Sequence, residues 1–271
     1  MEQVASLSGQ VAVVTGAGRG VGRAIAEALA ARGLHVALVA RGEAQLEETR
    51  RAIDAAGGHA EAFPIDVTDA DAVLRRLLPD VTRLLGVPSV LVNSAGIYGP
   101  VSLLKDSDPE HWIRTIRVNT LGPYLTCRAF VAGMIAGGWG RVINISSAAA
   151  LHPPGPLNSA YAASKIALNA MTRSLAAELG GTGVTVNALH PGDLKTEMWQ
   201  EIKDRAALLG EEGSGLRDWA SWVEQTGGDP PHKAAERALY LLSDAAATIN
   251  GQFVWIEGGL QSASGTPWTT E

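Results

Sequence analysis

The feature that most constrains the fold is a regular alternation of short β-branched apolar runs with longer amphipathic stretches. This alternation is typical of βαβ units that build a parallel sheet. Most of the runs are almost continuously apolar, which indicates strands covered on both faces. Right-handed crossovers then predict an α/β fold, with one doubly wound parallel sheet of about seven strands and helices on both faces. The predicted strands span residues 11–15, 35–40, 60–65, 89–93, 141–146, 184–189 and 252–256, and the predicted helices span 21–32, 43–56, 69–85, 109–136, 158–179 and 233–242.

One segment, at about residues 197–231, interrupts the alternation. It is long, mixed in character and punctuated by glycines, and it contains Trp199, Trp219 and Trp222. Segments of this length inside a compact domain are usually functional or disordered, and clustered tryptophans argue against disorder. No repeat or linker marks a domain boundary. We therefore expect a single domain over residues 1–271 that carries a substrate lid.

The charge balance argues against several classes of partner. The 271 residues carry 22 Lys and Arg against 28 Asp and Glu, a net charge of -6, so no basic surface for nucleic acid or membrane is indicated. Cys127 is the single cysteine, and the histidines show no metal-ligand spacing. Neither a signal peptide nor an apolar span is evident. We expect a cytoplasmic protein that binds a small molecule and no metal.

A glycine-rich turn follows the first predicted strand and opens the first helix. Glycines let a backbone approach a pyrophosphate closely, and the helix N-terminus stabilises its negative charge. The spacing departs from the strict GxGxxG pattern, and a tight strand-to-helix turn is the alternative. Its place in the first βα unit favours a Rossmann-like dinucleotide site. The residues expected to contact the cofactor here are Gly16, Gly18, Arg19, Gly20, Val21 and Gly22.

Two arginines predict which dinucleotide binds. The second predicted strand ends at Arg41, where an acidic residue would bind the adenosine ribose, and Arg19 lies inside the glycine turn. Guanidinium groups suit a 2′-phosphate. The pattern favours NADP(H), with NAD(H) possible, and two ordinary surface arginines are the alternative.

Lys165 lies four positions after Tyr161 in the sequence, so the two side chains share one face of a helix. A phenol has a pKa of about 10, and a neighbouring ammonium lowers it by stabilising the phenolate. This pair predicts a proton donor and acceptor, although such spacing also arises by chance on a helix surface.

The order of several motifs along the chain supports that interpretation. TGAGRGVG at 15–22, NSAG at 93–96, Asn119, Ser147, YAASK at 161–165 and HPG at 190–192 together resemble the short-chain dehydrogenase/reductase family, from about Leu7 to Gly259. The resemblance implies that Tyr161 exchanges a proton with the substrate oxygen. Lys165 is expected to hold the nicotinamide ribose and to lower the pKa of Tyr161, and Ser147 is expected to polarise the substrate oxygen.

Two of these assignments leave an alternative open. Ser146 competes with Ser147, which we prefer because it lies at the end of its strand. Asn119 matches the family's asparagine, whose backbone carbonyl anchors a water of a proton relay. Pro123 has no N–H to bond to that carbonyl, but it could equally only kink the helix.

The resemblance also assigns the rest of the cofactor and substrate sites. It places Asp66 and Val67 at the adenine, and Pro191, Gly192, Leu194 and Thr196 at the nicotinamide. We prefer Asn93 to Ser94 as a cofactor contact. Asp193 is expected either to bind a polar substrate group or, as we prefer, to cap the lid helix. The further cofactor residues are Ala95, Gly96, Pro191, Gly192, Leu194 and Thr196, and the substrate residues are Tyr98, Leu151, Pro153, Asp193, Met198, Trp199, Trp219 and Trp222.

These residues predict hydride transfer to or from a ketone or secondary alcohol with a hydrophobic or cyclic body. The tryptophans could instead anchor the lid or bury a subunit interface.

The resemblance implies a homotetramer, or a dimer, with helices around Asn119 and Tyr161 at one interface and the Pro267–Trp268 tail near another. A non-catalytic dinucleotide sensor and an NAD-preferring alcohol dehydrogenase are the rival functions. The spacing of Tyr161 and Lys165 argues against an enoyl reductase, and the chain length argues against a sugar-nucleotide epimerase.

Overall fold

A computed structural model describes residues 7–151 and 155–261, and its centre is one parallel sheet. The strand order is β3-β2-β1-β4-β5-β6-β7. Thr15 at the end of β1 lies opposite Val39 of β2 and Asn93 of β4. The doubly wound α/β prediction is confirmed. The strands are β1 Val11–Thr15, β2 His35–Ala40, β3 His59–Pro64, β4 Pro88–Asn93, β5 Gly140–Ile145, β6 Val184–His190 and β7 Phe253–Trp255.

Helices cover both faces of this sheet. Three of them, α1 Gly20–Ala30, α2 Glu43–Ala55 and α10 Pro231–Leu242, pack on one face. The other face carries α4 Leu78–Leu84, α6 Gly122–Gly137 and α7 Ser159–Glu178. Successive β1 side chains alternate between the two cores, which is why its sequence is continuously apolar.

Two long predicted helices each contain a π-helical turn. The first runs from α3 Ala70–Ala72 through the π turn Val73–Leu77 into α4. The second runs from α5 Pro109–Ile116 through the π turn Arg117–Leu121 into α6. In the second turn the Gly122 N–H bonds to the Arg117 carbonyl, five residues earlier. Pro123 follows at once and has no N–H to restore the α-helical pattern.

The predicted lid segment is mostly helical. It contains α8 Glu197–Ala207, a short 3-10 turn at Gly210–Gly213 and α9 Ser214–Thr226. Trp199, Ala220 and Val223 are buried between the two helices, and Lys203 of α8 pairs with Glu224 of α9. These contacts make α8 and α9 a packed helical pair. Among the described residues, no helix is long and apolar enough to cross a bilayer.

Candidate active site

A cavity of about 1030 Å³ lies at the carboxyl ends of the parallel strands. It includes the loops after β1 and β4, where the strand order reverses and α/β sheets bind ligands. Nearly all of the predicted cofactor residues line it. They are Gly16, Gly18, Arg19, Gly20, Val21, Gly22, Arg41, Asp66, Val67, Ala95, Gly96, Tyr161, Lys165, Pro191, Gly192, Leu194 and Thr196.

The glycine turn leaves no room for side chains at two positions. Gly16 has a φ of +67°, and a Cβ there would lie 2.8 Å from the Ala95 nitrogen. A Cβ on Gly22 would lie 2.3 Å from the Gly16 carbonyl oxygen. No side chain caps the N-terminus of α1 at Arg19, and its first turn carries no acidic residue. Backbone N–H groups at such a helix start fit the pyrophosphate of a dinucleotide.

Both predicted arginines line the cavity, and both are exposed. Arg19 forms an ion pair with Glu197, the first residue of α8. The Asp66 carboxylate accepts hydrogen bonds from the Thr68 backbone N–H at 2.9 Å and from the Thr68 hydroxyl at 2.8 Å. No pattern in the sequence marked Glu197, a carboxylate that pairs with one of the two arginines.

The Asn93 side chain does not face the cavity, which corrects the preference for it over Ser94. It is buried beneath the loop, where its amide donates to the Asn144 side-chain oxygen at 2.9 Å. Its own oxygen accepts from the Thr126 hydroxyl at 2.6 Å. Ser94 lies on the cavity wall. Asn93 points inward because it is the last residue of β4, and its side chain joins that strand to β5 and α6.

Tyr161 lies near the start of α7 and faces the end of β5. The Ser147 side chain hydrogen-bonds to Tyr161, and its hydroxyl accepts from the Ala149 N–H at 3.2 Å. Ser146 points elsewhere, because its hydroxyl donates to the Asn169 side-chain oxygen at 2.6 Å. The geometry therefore favours Ser147 over Ser146 as the partner of Tyr161.

Lys165 is buried one helical turn after Tyr161. Its ammonium donates to the Ile145 carbonyl at 2.7 Å and lies 5.6 Å from the Tyr161 ring centroid. Burial lowers the pKa of Lys165 to about 8. Burial also raises the pKa of Tyr161; the hydrogen bond to Ser147 lowers it, and the charge of Asp193 raises it. Burial is the largest of these influences on the Tyr161 phenol, and a lowering of its pKa by Lys165 stays a prediction.

Asn119 lies in the π turn between α5 and α6 and is fully buried. Its side chain accepts from the Ile97 N–H and donates to the Ile97 carbonyl, both at 2.9 Å. It also donates to the Ser164 hydroxyl at 2.9 Å. Asn119 thus fixes the loop after β4 against the helix that carries Tyr161 and Lys165.

The part of the cavity around Tyr161 is largely apolar and aromatic. The Tyr98 ring stacks on Tyr161, with centroids 4.8 Å apart and an interplanar angle of 26°. The Tyr98 hydroxyl hydrogen-bonds to Asn158, while burial raises the pKa of Tyr98. The lid contributes the remaining wall through Met198, Trp199, Ile202, Leu216 and Trp219.

Asp193 does not cap the lid helix, which corrects our preferred assignment. Thr196 caps α8, with its hydroxyl accepting from the Trp199 N–H at 3.4 Å. The Asp193 carboxylate instead lines the cavity and accepts from the Trp219 indole N–H at 3.0 Å. Asp193 therefore lines the cavity and contacts α9, the second lid helix, through Trp219.

The structure does not bring every predicted substrate residue to the cavity. Leu151 and Trp222 are not on its wall, and the Trp222 side chain lies partly in solvent on α9. Pro153 lies outside the described residues. Sequence analysis missed Ile202 and Leu216, whose helical spacing within the lid was their only signal. In the described parts of the chain, no group of three His, Cys, Asp or Glu residues could hold a metal ion.

Known proteins share both the sequence and this architecture. A family model described as short chain dehydrogenase matches residues 10–207. The short-chain reductase protein NovJ of Streptomyces niveus is 40% identical over 261 residues, which cover 95% of this chain and 96% of that protein.

Solved structures agree with these matches. A variant of actinorhodin polyketide ketoreductase with NADPH has a TM-score of 0.83 at 29% identity and covers 94% of this chain and 97% of that one. NAD+-bound xylitol dehydrogenase has a TM-score of 0.83 at 26% identity, with 93% and 99% coverage. The chain belongs to the short-chain dehydrogenase/reductase family of oxidoreductases.

Proposed function

We propose that this chain is an NADP(H)-dependent carbonyl reductase for ketones with a hydrophobic or cyclic body. The observation that carries the proposal is one cavity with the glycine turn at one end and Tyr161, Ser147 and Lys165 at the other. Its similarity to a ketoreductase solved with NADPH and to a relative named a short-chain reductase supports the proposal.

The chain's own residues would supply the proton chemistry. The glycine turn at Gly16–Gly22 would hold a nicotinamide dinucleotide, which would supply the hydride for the carbonyl carbon. Ser147 donates a hydrogen bond to the carbonyl oxygen, and Tyr161 transfers its phenolic proton to the same oxygen as negative charge develops there. Lys165 stabilises the resulting phenolate by its positive charge. The backbone carbonyl of Asn119 is the proposed anchor for a water that returns the proton.

Substitution of Tyr161 tests this role. We expect the chain to oxidise NADPH in the presence of aryl or cyclic ketones, and Tyr161→Phe to reduce kcat/KM by roughly a hundredfold or more while cofactor affinity is retained. Because the pKa of Tyr161 is raised, the phenol keeps its proton at neutral pH. The rate of ketone reduction should therefore be constant through neutral pH and decline only at alkaline pH. Cofactor binding without turnover of any ketone, with no effect of Tyr161→Phe, would favour the rival function of a dinucleotide sensor.

The preference for NADPH is the second part of the proposal and rests on Arg41. This exposed guanidinium lines the cavity, where a 2′-phosphate would bind. Arg41→Asp should lower the ratio of kcat/KM for NADPH over NADH by about tenfold or more, because it replaces a charge-assisted bond with repulsion. An unchanged ratio would contradict the preference and favour an NAD-linked alcohol dehydrogenase.

A further inference from the structure

Asn158 is the N-cap residue of α7, but its side chain does not cap the helix. An asparagine at this position usually accepts a hydrogen bond from the first turn of its helix. The Asn158 side chain makes no such bond, and its oxygen is buried without a hydrogen-bond partner among the described residues. Asn158 lines the cavity and precedes Tyr161 by three positions. A buried acceptor left unpaired is costly, so a ligand that donates a hydrogen bond to it is favoured.

The backbone immediately before Asn158 is strained. Leu157 has a φ of +73°, a left-handed conformation that residues other than glycine rarely adopt. The Leu157 side chain is 3% exposed and belongs to an apolar cluster that also contains Tyr98 and Ile202. Backbone strain of this kind concentrates at binding and active sites, where the surrounding packing maintains it. The packing of Leu157 therefore fixes the direction from which Asn158 enters the cavity.

Tyr98 contributes a second polar group to the same part of the cavity. It is 8% exposed, and its ring stacks on the Tyr161 ring with centroids 4.8 Å apart, so it lies beside the reacting phenol. Burial raises the pKa of Tyr98, and the hydrogen bond with Asn158 opposes this shift, as expected when an amide N–H donates to the phenol oxygen. The Asn158 amide thus occupies an acceptor position of Tyr98 and leaves the phenolic proton to be donated elsewhere.

Asn158 and Tyr98 together present one hydrogen-bond acceptor and one donor to the cavity. A hydroxyl group matches both, because it donates one hydrogen bond and accepts others. An ether oxygen would leave the Asn158 oxygen unpaired, and an ammonium group could not accept the Tyr98 proton.

We propose that Asn158 and Tyr98 form a hydroxyl-binding subsite, in which the Asn158 side-chain oxygen accepts from a substrate hydroxyl and Tyr98 donates to it. The inference rests on the proposed function, since it names the substrate class of the same site. That class is cyclic or aryl ketones that carry a hydroxyl group near the reacting carbonyl.

Matched cyclic ketones test the subsite at mildly acidic pH, where phenols are uncharged. The compounds are 1-tetralone, its 5-, 6- and 7-hydroxy derivatives, and the corresponding methoxy derivatives, which accept a hydrogen bond but donate none. We expect kcat/KM for at least one hydroxy-1-tetralone to exceed that for 1-tetralone, and for its own methoxy counterpart, by about tenfold or more. Equal values for 1-tetralone and all three hydroxy derivatives, or for each hydroxy and methoxy pair, would overturn the proposal in the wild-type protein.

Two variants test whether the subsite causes this preference. Asn158→Leu replaces the amide with an apolar side chain of similar size, so the ratio of kcat/KM for the hydroxy ketone over 1-tetralone should fall close to one. Tyr98→Phe removes the phenolic donor but keeps a ring against Tyr161, so the same ratio should fall by a smaller factor. A ratio that persists in Asn158→Leu would overturn the proposal.

Ser102→Ala is the matched control. It also removes a hydroxyl whose oxygen is buried and without a hydrogen-bond partner in the described part of the chain, and Ser102 follows β4 as Tyr98 does. Ser102 is not on the cavity wall, so the ratio should equal that of the wild type. An equal fall in Ser102→Ala and Tyr98→Phe would contradict a specific role for Tyr98.

Binding measurements separate this inference from the proposed function. Titration calorimetry with NADP+ present should give a lower Kd for the preferred hydroxy-1-tetralone than for 1-tetralone, and this difference should disappear in Asn158→Leu. If no ketone is reduced, the carbonyl reductase proposal fails while the Kd comparison still decides the role of the subsite. Equal Kd values in the wild-type protein would overturn the inference even if 1-tetralone is reduced.

Discussion

At the scale of single residues, opposing influences set the properties of Tyr161. Burial raises the pKa of the phenol, the Ser147 hydrogen bond lowers it, and the Asp193 charge raises it. The net effect keeps the proton on Tyr161 at neutral pH. A protonated phenol can donate its proton to a carbonyl oxygen, as the proposed reduction requires.

The pH dependence of the free energy of unfolding tests whether burial lowers the pKa of Lys165. Its pKa falls from 10.5 to about 8 in the folded chain. At a pH between these two pKa values, Lys165 is protonated in the unfolded chain and neutral in the folded chain. The free energy of unfolding therefore rises with pH. We expect this group to contribute a rise of roughly 3 kcal/mol from pH 8 to pH 10.5.

Urea unfolding of the wild-type protein and Lys165→Met across this pH range measures that rise. The raised pKa of Cys127 acts in the opposite direction in alkali, but it is common to both proteins and cancels in the difference between the two curves. The exposed Lys195→Met is the matched control, and its curve should follow the wild type. A difference that stays constant with pH would show that burial does not depress the pKa of Lys165.

Individual residues also show which side-chain positions a sequence pattern can predict and which it cannot. Tyr161, Lys165 and the glycine turn could be placed in one site because their spacing sets their geometry locally. The choices between Ser146 and Ser147, and between Asn93 and Ser94, could not be settled this way. Successive side chains at a strand end point to opposite sides, and only the packing of neighbouring helices determines which side is the cavity.

At the scale of elements, the strands and most helices could be predicted because apolar periodicity and terminal glycines mark them. The π turn at Arg117–Leu121 could not be predicted, because its residues continue the apolar pattern of an α-helix. Pro123 is the only residue nearby that indicates a break in the α-helical hydrogen bonding. The lid was predicted as a segment but not as the helices α8 and α9. Their apolar residues meet one another and the cavity, which a sequence without a known partner surface does not reveal.

The start of α8 provides an element-scale prediction about the cofactor. Glu197 and Arg19 both line the cavity and form an ion pair, so Glu197 would compete with a 2′-phosphate for the Arg19 guanidinium if NADPH binds as proposed. Glu197→Gln should therefore increase NADPH affinity by about two- to fivefold, an effect limited by solvent exposure of the pair. Fluorescence titration with NADPH and NADH measures it, and NADH affinity should change less.

Glu201→Gln is the control on the same helix, because Glu201 pairs with Arg205. That variant should bind NADPH as the wild type does. If Glu197→Gln weakens NADPH binding, the ion pair with Arg19 supports the cofactor site by holding α8 in place, and the competition argument is wrong.

At the scale of the whole molecule, we propose that the homotetramer implied by the family resemblance assembles through the outer surface of α5, α6 and α7. Ile113, Leu121, Tyr124 and Ile166 are each 38–48% exposed on these helices or on the π turn between them. Large apolar side chains grouped on adjacent helices mark candidate association surfaces. The Pro267–Trp268 tail, expected at a second interface, lies outside the described residues.

Light scattering after size-exclusion chromatography tests this assembly. We expect a mass four times the 28.2 kDa of one chain, and Ile166→Lys should shift the population to smaller species because it places a charge in the interface. Leu208→Lys, at an 85% exposed lid position, should leave the mass unchanged. Ile166 follows Lys165 directly on α7, so loss of assembly should also lower kcat by loosening the helix that carries Tyr161. A wild-type mass equal to a single chain would contradict the proposal and leave the apolar surface to another partner.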